Sequence, residues 1–213
     1  MHPIKMLSKI RLLVVDDHFT VRMGLTASIN MESDMEVVAE ASNLPQTIKA
    51  YRQYHPDVVL LDYRLPGGGG IEILEALMAE FSGTRVIIFS SYSGDENIYR
   101  AIQAGARAYL LKSGSRGELL KAIRAVHAGE RYLPQEVAAE LAQRLDGSQL
   151  SERELNVLQL VARGQTNKEI GVALKIAEIT VKQHVGHILT KLGASDRTQA
   201  ATLALRRGII SLE

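Results

Sequence analysis

Four apolar runs in the first half of the chain end in residues that could handle a cation or a phosphate. Asp16-Asp17 follow Ile10–Val15 (IRLLVV), Asp62 follows 58–61 (VVLL), Ser90-Ser91 follow 86–89 (VIIF) and Lys112 follows Ala108–Leu111 (AYLL). Taken singly, each is ordinary. An Asp after a strand is usually a turn former or a helix cap, and a Lys there is usually solvated. The combination is less ordinary, because adjacent carboxylates repel and raise each other's pKa. Three of them together make sense around a cation, and hard oxygen ligands suit Mg²⁺. A carboxylate can also act as a nucleophile and form an acyl phosphate. Phosphoryl transfer then needs positioning and charge neutralisation more than covalent assistance. Mg²⁺ and Lys112 would neutralise the phosphoryl oxygens, and Ser90 would donate a hydrogen bond to one of them.

Such a cluster forms only if the fold gathers the run ends. The runs are short and continuously apolar, which suits strands covered on both faces. A weaker run at Met35–Ala41 (MEVVAEA) reads as an edge strand. Segments with helical spacing lie between them, at 21–29, 47–54, 71–81, 96–104 and 116–126. Five strands alternating with five helices predict a doubly wound α/β domain with a five-stranded parallel sheet. In that fold ligands sit beyond the carboxyl ends of the strands.

After Ala128 the pattern changes. Residues 127–134 (HAGERYLP) break the last helix, 136–145 read as one more, and Asp146-Gly147-Ser148 as a turn. From Leu150 no strand-like run appears. Four short helices fit, at 152–163, Asn167–Leu174, Glu178–Leu192 and 197–206. Ser151…Glu154 and Thr166…Glu169 have the spacing of capping boxes, and Gly164 and Gly193 stand where helices should stop. The expected domains are 8–128, a linker with a helix at 129–148, and an all-α domain at 149–213.

The motifs LLVVDDH, VVLLDYRLPG, VIIFSSY and GARAYLLK resemble the receiver domain of response regulators, a flavodoxin-like fold. The resemblance runs from Ile10 to about Ala128 with all four motifs in order. It implies that Asp62 is the phosphoacceptor. Asp16, Asp17, Asp62 and the backbone carbonyl of Arg64 would then hold Mg²⁺, and Lys112 would pair with the phosphoryl group. Ser90 and Tyr109 become the hydroxyl and aromatic switch residues, drawn inward on phosphorylation. The donor would be a phosphohistidine on a sensor histidine kinase. Two features depart from the pattern. Gly67–Gly70 is unusually glycine-rich, which predicts a more flexible loop. Arg64 and Tyr92 occupy positions that face the phosphoryl group in the family, and their bulk and charge should tune hydrolysis in a direction left open at this level.

In the second half, Val181, Val185, Ile188 and Leu192 share one helical face and should pack inward. Lys182, Gln183, Gly186 and Thr190 then face outward, as in a helix that enters the major groove of DNA. The text LSERELNVLQLVARGQTNKEIGVAL…ITVKQHVGHILTKLGASDRTQA resembles the LuxR-type helix-turn-helix over 150–207. The whole chain is thus similar to the NarL/FixJ-type two-component response regulators. By that resemblance Asn167–Leu174 is the scaffold helix and Glu178–Leu192 the recognition helix. Lys182 and Gln183 carry over as base or phosphate contacts, and Lys168, Thr180, Lys191 and Arg197 as phosphate contacts. The last helix, with Ala200, Ala201, Leu203 and Ala204, resembles the family's dimer helix. Ala177 replaces the usual Ser or Thr cap, and Gly186 a longer polar residue. The recognition helix should therefore fray when free and firm up on DNA.

Bulk properties agree. At 213 residues the chain suits two domains. Lys and Arg balance Asp and Glu at 14 each up to Ala128, whereas 150–207 carries 9 against 5, a modest bias toward a polyanionic partner. No cysteine is present, which excludes disulfides and thiolate metal sites. Nothing reads as a signal peptide or a membrane span, so a cytoplasmic protein without membrane contact is expected. Its expected partners are the kinase, double-stranded DNA, RNA polymerase and, in the active form, a second copy of itself. It should not be an enzyme beyond gaining and losing its own phosphoryl group at Asp62. Two other readings stay open. A phosphohydrolase with an Asp nucleophile usually has a second acid two residues on, where this chain has Arg64. A ligand-sensing LuxR-type regulator has no use for the Asp16/Asp17/Asp62/Lys112 set.

Overall fold

A computed structural model describes residues 9–65, 69–146 and 150–210, the side chains of 143–146 excepted. The chain forms two compact units. One holds the residues up to Tyr92 and Arg100–Val137, the other Ser93–Tyr99 and the residues from Ala138 on.

The first unit is built on a parallel sheet of five strands: β1 (Ile10–Val15), β2 (Met35–Ala41), β3 (Val58–Asp62), β4 (Val86–Ser90) and β5 (Ala108–Leu111). Their order is β2-β1-β3-β4-β5, so the weakest run is indeed an edge strand. The helices α1 (Phe19–Asn30), α2 (Leu44–Tyr54), α3 (Gly69–Glu80), α4 (Asp95–Gln103) and α5 (Arg116–His127) alternate with the strands. Side chains of a strand alternate between faces. Leu12, Val14, Val58, Leu60, Ile87 and Leu110 accordingly form one core cluster with Leu25 and Ile29 of α1 and Leu119, Ile123 and Val126 of α5. Leu13, Val59, Leu61 and Ile88 fall on the opposite face and are equally buried. Both faces being covered explains the continuous apolar runs.

Local chemistry sets the element ends. Asn43 accepts from the Gln46 N–H at 3.0 Å and Pro45 sits in the first turn, so α2 starts earlier than apolar spacing alone suggests. Of the expected flexible loop, Gly67 and Gly68 lie outside the described residues, while Gly69 and Gly70 open α3. Gly69 has φ +69°, and a Cβ on Gly70 would lie 2.1 Å from the Asp62 carbonyl oxygen. Glycine is needed at position 70 for α3 to start against the end of β3.

The second unit is helical, with α6 (Gln135–Asp146), α7 (Glu152–Ala162), α8 (Asn167–Leu174), α9 (Glu178–Leu192) and α10 (Arg197–Arg207). Both expected capping boxes form, at Ser151/Glu154 and Thr166/Glu169. Gly193 ends α9 in the left-handed conformation. Val157, Leu158, Val161, Ile170, Val181, Ile188, Ala200 and Ala204 make the core, with Val185 and Leu192 half-buried against it. Gly171 allows the close turn between α8 and α9, since a Cβ there would lie 2.8 Å from the Ile176 carbonyl oxygen. Among the described residues no helix is long and apolar enough to cross a membrane.

Candidate functional site

All five strands run in one direction, so their carboxyl ends lie along one edge. The pairing register sets Val15 beside Leu61, Asp62 beside Phe89, and Ser90 beside Leu111. Asp16, Asp62, Ser90 and Lys112 therefore emerge side by side. The site lies where the sheet order turns, with β1 and β3 as neighbours.

Lys112 ties the cluster together. Its Nζ donates to Asp16 Oδ2 at 2.6 Å and to Asp62 Oδ2 at 2.9 Å. Asp16 is 1% exposed and Asp62 6%. The Asp16 carboxylate also accepts from the His18 N–H, and its backbone carbonyl accepts from Arg22. The Asp62 carboxylate accepts weakly from the Arg64 N–H at 3.4 Å. Burial pushes the Asp62 carboxyl above its ordinary pKa, and the Lys112 ammonium offsets only part of that. At Lys112 burial acts against the charged form, but the two carboxylates prevail and hold its pKa above the ordinary value.

Asp17 completes an acidic mouth. One oxygen or ring nitrogen from each of Asp16, Asp17, His18 and Asp62 falls within 4.8 Å of the others. The Asp17 Oδ1 atom is buried and accepts no hydrogen bond, although His18 Nδ1 lies 2.9 Å away. An orphan carboxylate oxygen beside two further carboxylates is a donor set that fits a hard divalent cation. Only its adjacency to the two acids hinted, at the level of sequence, at the nearby imidazole.

Ser90 is fully buried, and its Oγ accepts from the Tyr92 N–H at 3.0 Å. Tyr109 lies inward, fully buried, with its hydroxyl donating to the Tyr92 carbonyl at 2.7 Å. Burial raises its pKa above the ordinary tyrosine value. The Arg64 guanidinium stacks over the Tyr92 ring, 4.2 Å from its centre. Spacing could not reveal that pair, because it joins two loops.

In the second unit the outer face of α9 carries Lys182, Gln183, Gly186 and Thr190, as expected, with Lys182 and Gly186 exposed. Lys168 lies in the first turn of α8 and Thr180 in the first turn of α9. Two other candidate cations have internal partners. Lys191 donates to Glu154 at 2.7 Å, and Arg197 donates to the Gln165 carbonyl at 2.6 Å. Ala177 precedes α9 without a side-chain cap, and a Cβ on Gly186 would meet nothing within 4 Å.

This arrangement has counterparts among known proteins. The family model of the response regulator receiver domain matches residues 12–124, and that of the luxR family of bacterial regulatory proteins matches 148–204. The chain belongs to the NarL/FixJ-type response regulators. It is 41% identical over 210 residues to the transcriptional regulatory protein LiaR of Bacillus subtilis (strain 168), covering 95% of this chain and 100% of LiaR. It is 34% identical to the response regulator VraR of Staphylococcus aureus (strain NCTC 8325 / PS 47), covering 94% and 99%. Among solved structures, the response regulator ChrA of a heme-sensing two-component system is 37% identical with a TM-score of 0.58, covering 96% of this chain and 100% of ChrA. An RcsB–DNA complex, at 22% identity and a TM-score of 0.74 over 93% and 99% of the chains, matches in fold alone. As a response regulator, the chain pairs a receiver with a LuxR-type DNA-binding domain, and its relatives are transcriptional regulators. That membership favours neither a small-molecule phosphohydrolase nor a ligand-sensing domain in the first half.

Proposed function

We propose that Asp62 accepts a phosphoryl group from a phosphohistidine of a sensor histidine kinase, and that this modification controls DNA binding. One observation carries the reading: Lys112 bridges Asp16 and Asp62 in a buried cluster at the strand ends. An Asp62 oxygen attacks phosphorus, the donor's P–N bond breaks, and the imidazole leaves with the electron pair. Lys112 then holds a phosphoryl oxygen, and the Ser90 hydroxyl donates to another. Asp16, Asp17, Asp62 and the Arg64 carbonyl would hold Mg²⁺, which when bound would supply further positive charge against the phosphoryl oxygens. The raised pKa of Asp62 suits a nucleophile, since a more basic carboxylate attacks better.

Ser90 and Tyr109 both bond to Tyr92, so a shift of the Ser90 hydroxyl toward phosphate passes to the segment before α4. That shift favours a homodimer and DNA carrying paired half-sites. Lys182 and Gln183 read base edges or phosphates, and Lys168 and Thr180 hold phosphates. Lys191 and Arg197 are phosphate contacts alongside their internal bonds to Glu154 and the Gln165 carbonyl. The domain limits follow as 8–128 for the receiver, 129–148 for a linker with a helix, and 149–213 for the DNA-binding part. The protein acts in the cytoplasm, away from membranes, where it meets RNA polymerase. It carries no catalysis beyond gain and loss of its own phosphoryl group.

The test is incubation with acetyl phosphate and Mg²⁺, followed by intact mass and DNA affinity. Wild type should gain one phosphoryl group and bind DNA more tightly, and Asp62→Asn should do neither. A gain that persists in Asp62→Asn would remove the acceptor. Affinity indifferent to the modification would remove the switch.

A further inference from the structure

Among the described residues of the second unit, the large apolar side chains left in solvent are Val172 of α8, 76% exposed, and Ile179 of α9, 64% exposed. Ile179 is the second residue of α9. Residues three, four and seven positions apart share one face of a helix. Counted from Ile179 these are Lys182, Gln183 and Gly186, and all four are exposed. Val181 and Ile188, which anchor α9 in the core, point the opposite way. Ile179 thus stands in the middle of the outer face, flanked one turn on by Lys182 and Gln183, and not at the border with the core.

A single exposed isoleucine is ordinary on most surfaces. This one lies in the first turn of the recognition helix, where side chains meet base edges. It offers neither a donor nor an acceptor. Set against the edge of guanine, adenine or cytosine, it would cover polar groups and leave them without partners. In the major groove only thymine presents an apolar group, its C5 methyl. Gly186 has no side chain to reach a base, so readout along this stripe falls on Ile179, Lys182 and Gln183. Lys182 and Gln183 can supply the hydrogen bonds that Ile179 lacks.

We propose that Ile179 packs on the C5 methyl of a thymine in the major groove and so fixes one T·A pair in each half-site of the DNA. This rests on the outer face of α9 entering that groove. The contact removes the methyl and the Ile179 side chain from water together and touches no phosphate. It therefore adds preference for a base without adding salt dependence.

In the experiment the full chain, treated with acetyl phosphate and Mg²⁺, selects duplexes from a pool of randomised sequence, and the bound sequences define the half-site. Each thymine of one half-site is then replaced in turn by deoxyuridine, which lacks only the methyl. One of these replacements should weaken wild-type binding about fourfold, the scale of one methyl group withdrawn from water. Ile179→Ser should bind the thymine and deoxyuridine duplexes equally, and Ile179→Val should keep the preference. Both should have the salt slope of wild type, and both should unfold in urea as wild type does, because the side chain is exposed. A half-site without thymine, a wild type indifferent to deoxyuridine at every position, or a loss equally large in Ile179→Ser would overturn the thymine contact. If Lys182→Ala still lowers the salt slope in those cases, α9 stays in the groove and the contact alone falls; if it does not, both fall. A wild type that enriches no sequence removes the groove reading and the thymine contact with it.

Discussion

At the sheet edge Lys112 is bound to two carboxylates, Asp62 is nearly sealed from water, and the polar groups lean on one another. On the outer face of α9, Lys182 stands in solvent beside Gln183. The two regions use charge in opposite ways. The receiver confines like charges at an electrostatic cost that the proposed cation and phosphoryl group would relieve. The recognition helix keeps its cation hydrated and available for a polyanion. Substitutions in the pocket should therefore be coupled and change stability, whereas those on α9 should be independent and change affinity and its salt dependence.

The largest effect is expected at Gly70. A Cβ there would overlap the Asp62 carbonyl oxygen, and the clash is with backbone, which cannot swing aside. Gly70→Ala should cost roughly 2–3 kcal/mol of stability and displace Asp62, abolishing phosphoryl uptake. Gly24, within α1, would place a Cβ in open space, with nothing within 4 Å, so Gly24→Ala is the control and should stabilise by about 0.5–1 kcal/mol. Urea unfolding of both variants gives the answer. Equal stability of the two would mean that the start of α3 is not fixed against β3.

The next effect separates two lysines of one helix. Lys191 is paired with Glu154, whose side chain is 5% exposed. Burial disfavours the Glu154 carboxylate, but the Lys191 ammonium and the Ser151 N–H prevail and hold its pKa below the ordinary value. Lys191→Ala leaves that charge without its cation and should cost about 2 kcal/mol, reduced from the fully buried case because Lys191 is partly exposed. A lowered folded-state pKa means stability that is present above the unfolded value and lost as pH falls through the folded one. Wild type should lose this part in acid, and Lys191→Ala should lose less. Lys182→Ala should leave unfolding unchanged, weaken DNA binding, and reduce the salt slope by about one. Unchanged unfolding in Lys191→Ala would erase the difference between the two lysines.

Asp62 makes the cost of the pocket measurable. Its carboxyl pKa is raised by burial, so ionised Asp62 opposes folding. Asp62→Asn, measured with a chelator present, should stabilise the receiver by about 1 kcal/mol at neutral pH. The sign is opposite to that for Glu154. The cost is complete above the raised folded-state pKa, fades as pH falls from there toward the unfolded value and is gone below it, so the advantage of Asn should vanish in acid. Loss of stability in Asp62→Asn at neutral pH would mean that the bond to Lys112 outweighs the burial of the charge.

The same contrast governs how much could be read from sequence. The apolar runs of β1, β3, β4 and β5 announced buried strands, and their ends placed Asp16, Asp62, Ser90 and Lys112 on one edge because parallel strands share a direction. The capping boxes at Ser151 and Thr166 were equally legible, each being a contact between residues three apart. The illegible features join distant segments. The stack of Arg64 on Tyr92, the pair of Lys191 with Glu154 and the bond from Arg197 to the Gln165 carbonyl leave no periodic trace. Neither did the close approach at Gly70, where a run of four glycines suggested only a flexible loop.

The smallest effects lie in α9 itself, and they test whether affinity there is independent of packing. Ala177 offers no cap to the helix, and Gly186 leaves open space at its centre. Ala177→Ser should stabilise the DNA-binding domain by about 1 kcal/mol, and Gly186→Ala by up to about 1 kcal/mol. The two positions lie more than two turns apart along one helix and share no partner, so the gains should add. If α9 frays in the free protein, amide exchange over 181–188 is faster without DNA than with it, and the two substitutions should slow it in the free state alone. DNA binding should then tighten by the helix-ordering cost that no longer has to be met on the complex. Exchange equally slow with and without DNA in the wild type would show an α9 already firm, and any gain in affinity from Gly186→Ala would have to come from the new methyl group touching a base.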